Sequence, residues 1–142
     1  MNRQTLQNLA TTRLEDAELL LGNGRWSAGY YLTGYAIEYA LKSCLLRYLG
    51  EGDALFRDPK FRDSLKDCWT HDLTKLVTLT GLDAEFGLAR AGNRKLENFW
   101  ATVKEWKETS RYEEKSEADA KALYEAVTHE HDGVFPWIRM QW

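Results

Sequence analysis

A length of 142 residues, with 44% hydrophobic and 29% charged residues, is typical of one globular domain and excludes a disordered or fibrous chain. The formal charge of −3 excludes a globally basic nucleic-acid-binding protein. The two cysteines, Cys44 and Cys68, form no C-x-x-C pair, so we predict no disulfide framework, no metal site and no cofactor. The polar N-terminus gives no sign of a signal peptide, and we expect a cytoplasmic protein.

The first two predicted elements are long helices. Apolar residues recur at a spacing of three to four over residues 6–21, and the glycines at 22–24 end this pattern. A second helix, apolar on nearly all sides, is predicted from Trp26 or Ser27 to about Gly50. Its longest uncharged piece, residues 26–37, is too short for a transmembrane helix, which needs about 18 residues or more. We therefore expect a helix buried at the centre of a bundle or shared between two subunits.

Two charges lie in the middle of this apolar helix. Glu38 and Lys42 are four residues apart with the glutamate first, which is the favourable order for an ion pair on one helix face. The pair has two interpretations, a structural salt bridge or part of a ligand site or interface, because polar groups on a buried helix need partners. Gly29 and Gly34 would allow another helix to approach closely.

The rest of the chain predicts three more helices and a connection. The connection, with Pro59 near a short helical turn, leads to a short helix that Thr70 or Asp72 would cap and Gly81 would end. A fourth helix is predicted from Asn93 to about Arg111, and a fifth begins near Ser116 and is broken by Gly133 and Pro136. We expect an aromatic tail at about 133–142 to pack on the bundle. The prediction is an all-α, single-domain bundle of about five helices, with the long apolar second helix at the centre.

The charge is distributed unevenly along the chain. Residues 90–111 hold six basic and three acidic residues, whereas residues 112–142 hold three basic and seven acidic ones. A local basic face on an acidic protein is one interpretation, and an ordinary solvated helix face is the other.

Three segments, in this order, resemble the HEPN domain family. They are "RLEDAELLLGNGRWSAGYYLTGYAIEYALKSCLLRY", "THDLTKL" and "FWATVKEWKETSRY", so the resemblance covers about residues 12–112. The shared features are an alanine-rich second helix with Glu and Lys four apart, a "HDL" start to a short helix, and an "RY" after the fourth helix. The closing "HDGVFPWIRMQW" also looks like the tail of one bacterial subgroup.

The resemblance implies a compact all-α domain and two kinds of function. Many HEPN proteins are metal-independent ribonucleases, often toxins paired with a nucleotidyltransferase-like antitoxin or parts of antiviral systems. Their site is an Arg-x4–6-His motif paired across a homodimer. Other members lack this motif and are regarded as nucleotide-binding or scaffolding modules.

The ribonuclease motif is absent from this sequence. No arginine precedes any of the three histidines, His71, His129 and His131, with four to six residues in between. Lys66 has the right spacing to His71, but a lysine lacks the planar fork of an arginine. His71 and Lys66 remain the candidate catalytic residues.

The candidate ligand-binding residues are partly cationic and partly aromatic. Arg111 can pair with phosphate and Tyr112 can stack on a base, although a helix-end arginine beside a packed tyrosine is equally compatible with the pattern. His71 followed by Asp72 would either orient the imidazole for proton transfer or simply start a helix. The "HEHD" string at 129–132 does not match a zinc peptidase motif and is interpreted as an exposed turn. The predicted ligand-binding residues are Glu38, Lys42, Lys107, Arg111 and Tyr112.

The leading functional hypothesis is a homodimeric HEPN-like binding module without ribonuclease chemistry. Its expected ligand is a nucleotide or RNA phosphate, in a toxin–antitoxin or defence context, with a nucleotidyltransferase-like protein as a partner. The alternatives are a divergent metal-independent ribonuclease, a toxin that uses His71 with Lys66 or Arg111, and a purely structural subunit of a complex. Membrane association is not expected.

Overall fold

The structure, a computed structural model, describes residues 2–50 and 69–142. These residues form seven α-helices, one 3-10 helix and no strand, which confirms the all-α prediction for this part of the chain. The predicted count of about five helices is not confirmed. The connection with Pro59, together with Lys66 and Cys68, lies outside the described residues.

The helices are α1 (Arg3–Gly22), α2 (Trp26–Tyr48), α3 (Leu73–Leu79), α4 (Asp83–Ala91), α5 (Arg94–Val103), the 3-10 helix (Glu108–Tyr112), α6 (Glu117–Thr128) and α7 (Val134–Arg139).

Helix α2 is the element around which the others pack. It contacts α1, α3, the 3-10 helix, α6 and α7, and residues on almost every side of it, from Tyr30 to Leu46, are buried. Its burial explains why the sequence of α2 lacks the polar face of a surface helix. Among the described residues, no helix is long and apolar enough to cross a membrane.

The sequence marks several helix ends correctly. The side chain of Asp72 accepts a hydrogen bond from the backbone N–H of Lys75 and caps α3, and Gly81 follows that helix with a φ of 74°. Ser116 caps α6 by accepting a hydrogen bond from the backbone N–H of Asp119. These side chains offer local partners to backbone donors that would otherwise have none.

The predicted fourth helix is wrong in its length. Instead of one helix from Asn93 to about Arg111, the chain forms α5, ends it at Val103, and turns again as the 3-10 helix. Neither glycine nor proline stands at the break. The cause is tertiary: the Trp106 side chain, 1% exposed, lies against Gly34 of α2. The chain makes this contact instead of continuing as a helix beyond Val103.

Two short helices were not predicted as helices. Helix α4 buries Phe86, and its hydrophobic pattern is short because Phe86 is its only buried residue. The C-terminal segment forms α7, in which Val134, Phe135 and Ile138 are buried. The ring of Trp137 in α7 lies 4.6 Å from that of Phe86, so the two helices meet through their aromatic side chains.

We predict that Gly34→Ala destabilises the protein, because a Cβ atom at this position would lie 2.2 Å from the Trp106 ring. Forcing extra volume into this packed contact should lower the free energy of unfolding by about 1–3 kcal/mol. The measurement is urea unfolding followed by tryptophan fluorescence. Gly22→Ala is the matched control, since a Cβ there meets no heavy atom of the described residues within 4 Å. Equal stability of the two variants would contradict the proposed Trp106–Gly34 packing.

Candidate functional site

The polar residues singled out in the sequence converge from three elements. Glu38 and Lys42 lie one turn apart on α2, and His71 lies just before α3, where the cap made by Asp72 fixes the start of that helix. Arg111 lies on the 3-10 helix. The arrangement brings the middle of the central helix next to two chain segments that are distant from it in sequence.

Glu38 is the buried member of this group. Its side chain is 1% exposed, and its carboxylate accepts a hydrogen bond from Lys42 Nζ at 2.6 Å. This is the ion pair that the four-residue spacing predicts. The same carboxylate contacts Nδ1 of His71, at 2.9 Å from Oε1 and 3.0 Å from Oε2. Both partners therefore compensate a charge that is removed from water.

A second carboxylate faces the other side of the His71 ring. Glu108 Oε2 lies 3.3 Å from His71 Nε2, and Glu108 Oε1 accepts a hydrogen bond from Arg111 Nη1 at 3.0 Å. A 3-10 helix has three residues per turn, so positions i and i+3 lie above one another, which places Glu108 and Arg111 on one side. We call Lys42, Glu38, His71, Glu108 and Arg111 the polar network.

Aromatic rings border the polar network. The rings of Tyr31, Tyr35 and Tyr39 follow one another along α2 with centroids 5.1 and 5.2 Å apart, and the Tyr35 ring lies 6.3 Å from that of His71. Burial, followed by the nearby Glu38 carboxylate, raises the pKa of the Tyr35 hydroxyl. The phenol is thus protonated at neutral pH, when it can donate a hydrogen bond.

Arg111 is the cationic end of the polar network and is open to solvent. Partial desolvation acts to lower the pKa of Arg111, but the Glu108 carboxylate and the nearby hydroxyls of Tyr112 and Tyr31 outweigh it and raise that pKa. The guanidinium carbon lies 4.8 Å from the centre of the Tyr112 ring, which is itself exposed. Arg111 and Tyr112 thus present a cation and an aromatic face side by side.

The contacts assign different roles to the two nitrogens of His71. A ring nitrogen donates to a carboxylate only when it carries a proton, so the contact with Glu38 favours a proton on Nδ1. Nε2, on the other side of the ring, faces Glu108 and can donate to that carboxylate only when it too carries a proton. The His71 side chain is 39% exposed. A buried carboxylate that orients an imidazole in this way is the arrangement that general bases use.

Other predicted site residues lie apart from this network. Asp72 caps α3 and is not the partner of the His71 imidazole. Lys107 is exposed and immediately precedes the 3-10 helix. Lys66 lies outside the described residues.

The "HEHD" segment is a turn and not a converging pair of histidines. His129 Nδ1 accepts a hydrogen bond from the backbone N–H of Asp132, while the His131 side chain is 80% exposed. Within residues 2–50 and 69–142, His, Cys, Asp and Glu side chains form no group of three or more that could hold a metal ion. Cys44 is buried, and burial raises the pKa of its thiol to about 11.

A shallow groove of about 450 Å³ lies beside α4, α5 and α7, and Asn93, Leu96 and Trp137 are among its lining residues. No member of the polar network lines it. Glu130, His131 and Asp132 also line the groove, but no arginine or lysine among the described residues does. We therefore place the candidate site at the polar network, where a guanidinium lies beside the carboxylates and the imidazole.

Comparison of the chain with protein-family models, with curated proteins and with solved structures finds no match.

Sequence reasoning missed Glu108 as a site residue. In the sequence it is one of the three acidic residues in the basic stretch 90–111. Its spacing of three residues from Arg111 is the one signal that could have indicated an ion pair. Its contact with His71 joins residues 37 positions apart, and local patterns carry no information about such a contact.

We predict that Glu38→Gln lowers the free energy of unfolding by about 2 kcal/mol, because the amide cannot replace the charge-assisted bonds to both Lys42 and His71. Urea unfolding measures the change. Glu117→Gln is the matched control, since Glu117 and Lys121 form the same four-residue pair on an exposed helix face. Its loss should cost less than about 1 kcal/mol. A Glu38→Gln effect no larger than that of the control would show that the buried carboxylate is not a structural centre.

Proposed function

We propose that this protein is a HEPN-like helical binding module that binds the phosphate group of a nucleotide or of RNA at the polar network. The proposal rests on one observation: His71 Nε2 and Arg111 Nη1 each lie against one oxygen of the Glu108 carboxylate, at 3.3 and 3.0 Å. When Nε2 carries a proton as well as Nδ1, it and the guanidinium are two donors, and two donors that hold the oxygens of a carboxylate can also hold two non-bridging oxygens of a phosphate. Arg is well suited to either anion.

The neighbourhood of Arg111 supports a nucleotide or RNA over a simple anion. The Tyr112 ring is 76% exposed and stands beside the guanidinium, so a base can stack on it while the phosphate pairs with Arg111. Stacking of a base on an aromatic ring contributes about 1–3 kcal/mol and does not depend on base identity. A ligand with both groups therefore suits the site better than phosphate alone.

The biological setting rests on the family resemblance. That resemblance supports a homodimer, a toxin–antitoxin or defence context, and a nucleotidyltransferase-like partner protein. The missing Arg-x4–6-His motif supports a binding role over ribonuclease chemistry.

We predict that Arg111→Gln weakens the binding of AMP and of a short single-stranded RNA by about tenfold, through loss of a charge-assisted phosphate contact. Calorimetry with AMP and fluorescence anisotropy with the RNA measure the change. Lys95→Gln is the matched control, because it removes one exposed positive charge from α5 without touching the polar network. Its effect should stay within about twofold.

The outcomes separate the functional hypotheses. If Lys95→Gln weakens binding as much as Arg111→Gln, the ligand contacts a diffuse basic face and not the proposed site. If neither AMP nor RNA binds the unaltered protein, the binding hypothesis fails and the structural-subunit alternative is favoured. Circular dichroism should show that both variants keep the helical fold.

A divergent ribonuclease is the second candidate function, and the Glu38–His71 contact is the observation that favours it. With Nδ1 held by Glu38 and no proton on Nε2, that nitrogen would take the proton of a ribose 2′-hydroxyl as its oxygen attacks the adjacent phosphorus. The bond from phosphorus to the 5′-oxygen of the next nucleotide would break, leaving a 2′,3′-cyclic phosphate and a 5′-oxygen that takes a proton from water. Arg111 would then stabilise the charge that develops on the phosphate oxygens.

The enzyme hypothesis predicts RNA cleavage that persists in a chelator and is lost in His71→Ala. Gel electrophoresis of a labelled RNA after incubation with the protein measures cleavage. The His131→Ala variant is the control, because that histidine is exposed in the turn after α6 and outside the polar network. Intact RNA at high protein concentration would refute this hypothesis and leave the binding hypothesis standing.

A further inference from the structure

We propose that Glu108 is a built-in substitute for the ligand's phosphate. Its carboxylate fills the anion position between His71 and Arg111, and a ligand must displace it in order to bind. This inference rests on the proposed function, which it extends by naming the residue that sets the affinity of the site.

The geometry of Glu108 is that of a bound anion. One oxygen lies 3.3 Å from His71 Nε2, and the other accepts a hydrogen bond from Arg111 Nη1 at 3.0 Å. Each oxygen thus has one partner, as the two non-bridging oxygens of a phosphodiester would. An incoming phosphate cannot occupy this position while the carboxylate is there.

Glu108 differs in this respect from Glu38, the other carboxylate on the ring. Glu38 is 1% exposed and approaches the opposite nitrogen of His71 from inside the bundle. Glu108 is 24% exposed and lies on the solvent side, on a side chain with several rotatable bonds. Glu38 therefore orients the ring, whereas Glu108 can leave it.

The charges of the polar network lead to the same inference. Apart from His71, the positive charges of Lys42 and Arg111 balance the negative charges of Glu38 and Glu108. When a phosphate displaces Glu108, the net charge of the polar network stays nearly the same. A phosphate beside an undisplaced Glu108 would instead bring two anions together. Like charges at contact distance disfavour that arrangement.

The 3-10 helix that carries Glu108 is short and leaves room for a local rearrangement. It holds Glu108 and Arg111 in one five-residue element, and 3-10 hydrogen-bond geometry is weaker than that of an α-helix. Ser110 between them is buried. A rotation of the Glu108 side chain frees His71 Nε2 and Arg111 Nη1 without moving the backbone.

The test compares inorganic phosphate and AMP binding by calorimetry in the unaltered protein, Glu108→Gln and Glu97→Gln. Glutamine keeps the size of the side chain and removes its charge, so Glu108→Gln should bind both probes about five- to tenfold more tightly. Glu97→Gln makes the same change in net charge on α5, where Glu97 pairs with Arg90 and not with the polar network. Its affinities should stay within about twofold of the unaltered protein.

A double variant, Glu108→Gln with Arg111→Gln, completes the design. The gain in affinity should disappear in it, because the gain depends on the freed guanidinium. Equal or weaker binding by Glu108→Gln, with Arg111→Gln still weakening the unaltered protein, would overturn the substitute role but not the proposed function. An equal gain in Glu97→Gln would assign the effect to net charge and overturn it also. No binding by any form would overturn both proposals.

Discussion

The structure depends on one buried charge, the carboxylate of Glu38 in the middle of the central helix. A carboxylate that is 1% exposed must be compensated, since an unpaired buried charge is costly. Lys42 supplies one partner from the next turn of α2, and His71 supplies the other from the segment that starts α3. The contact between Glu38 and His71 thus holds α3 against α2 and fixes the orientation of the imidazole. Stability and site geometry have the same physical origin here.

A second constraint is steric and lies on the same helix. The absence of a side chain at Gly34 leaves room for the Trp106 ring against α2, and this contact ends the helical path after α5. The chain that follows forms the 3-10 helix, which carries Glu108 and Arg111 to the other side of His71. A contact that buries a tryptophan therefore also completes the candidate site. The two constraints, one electrostatic and one steric, meet at the imidazole.

Several local features were predictable because their causes are local. Asp72 and Ser116 cap helices through hydrogen bonds to a backbone three residues away, and the Glu38–Lys42 pair needs only the pitch of one helix. The continued fourth helix was predicted wrongly for the opposite reason. Its apolar residues Leu96, Trp100, Val103 and Trp106 are all buried, but the path of the backbone depends on a glycine in α2. Helical periodicity does not record such a contact.

The sequence by itself determined the all-α class, the central place of the second helix and the candidate residues Glu38, His71 and Arg111. Composition, spacing and hydrophobic periodicity suffice for these because they act within one helix or one turn. The tertiary structure alone decided that these side chains meet, that Glu108 joins them, and that Glu38, not Asp72, holds the imidazole. Those outcomes require distant segments to pack together, and His71 and Glu108, 37 residues apart in the chain, come within 3.3 Å only after folding.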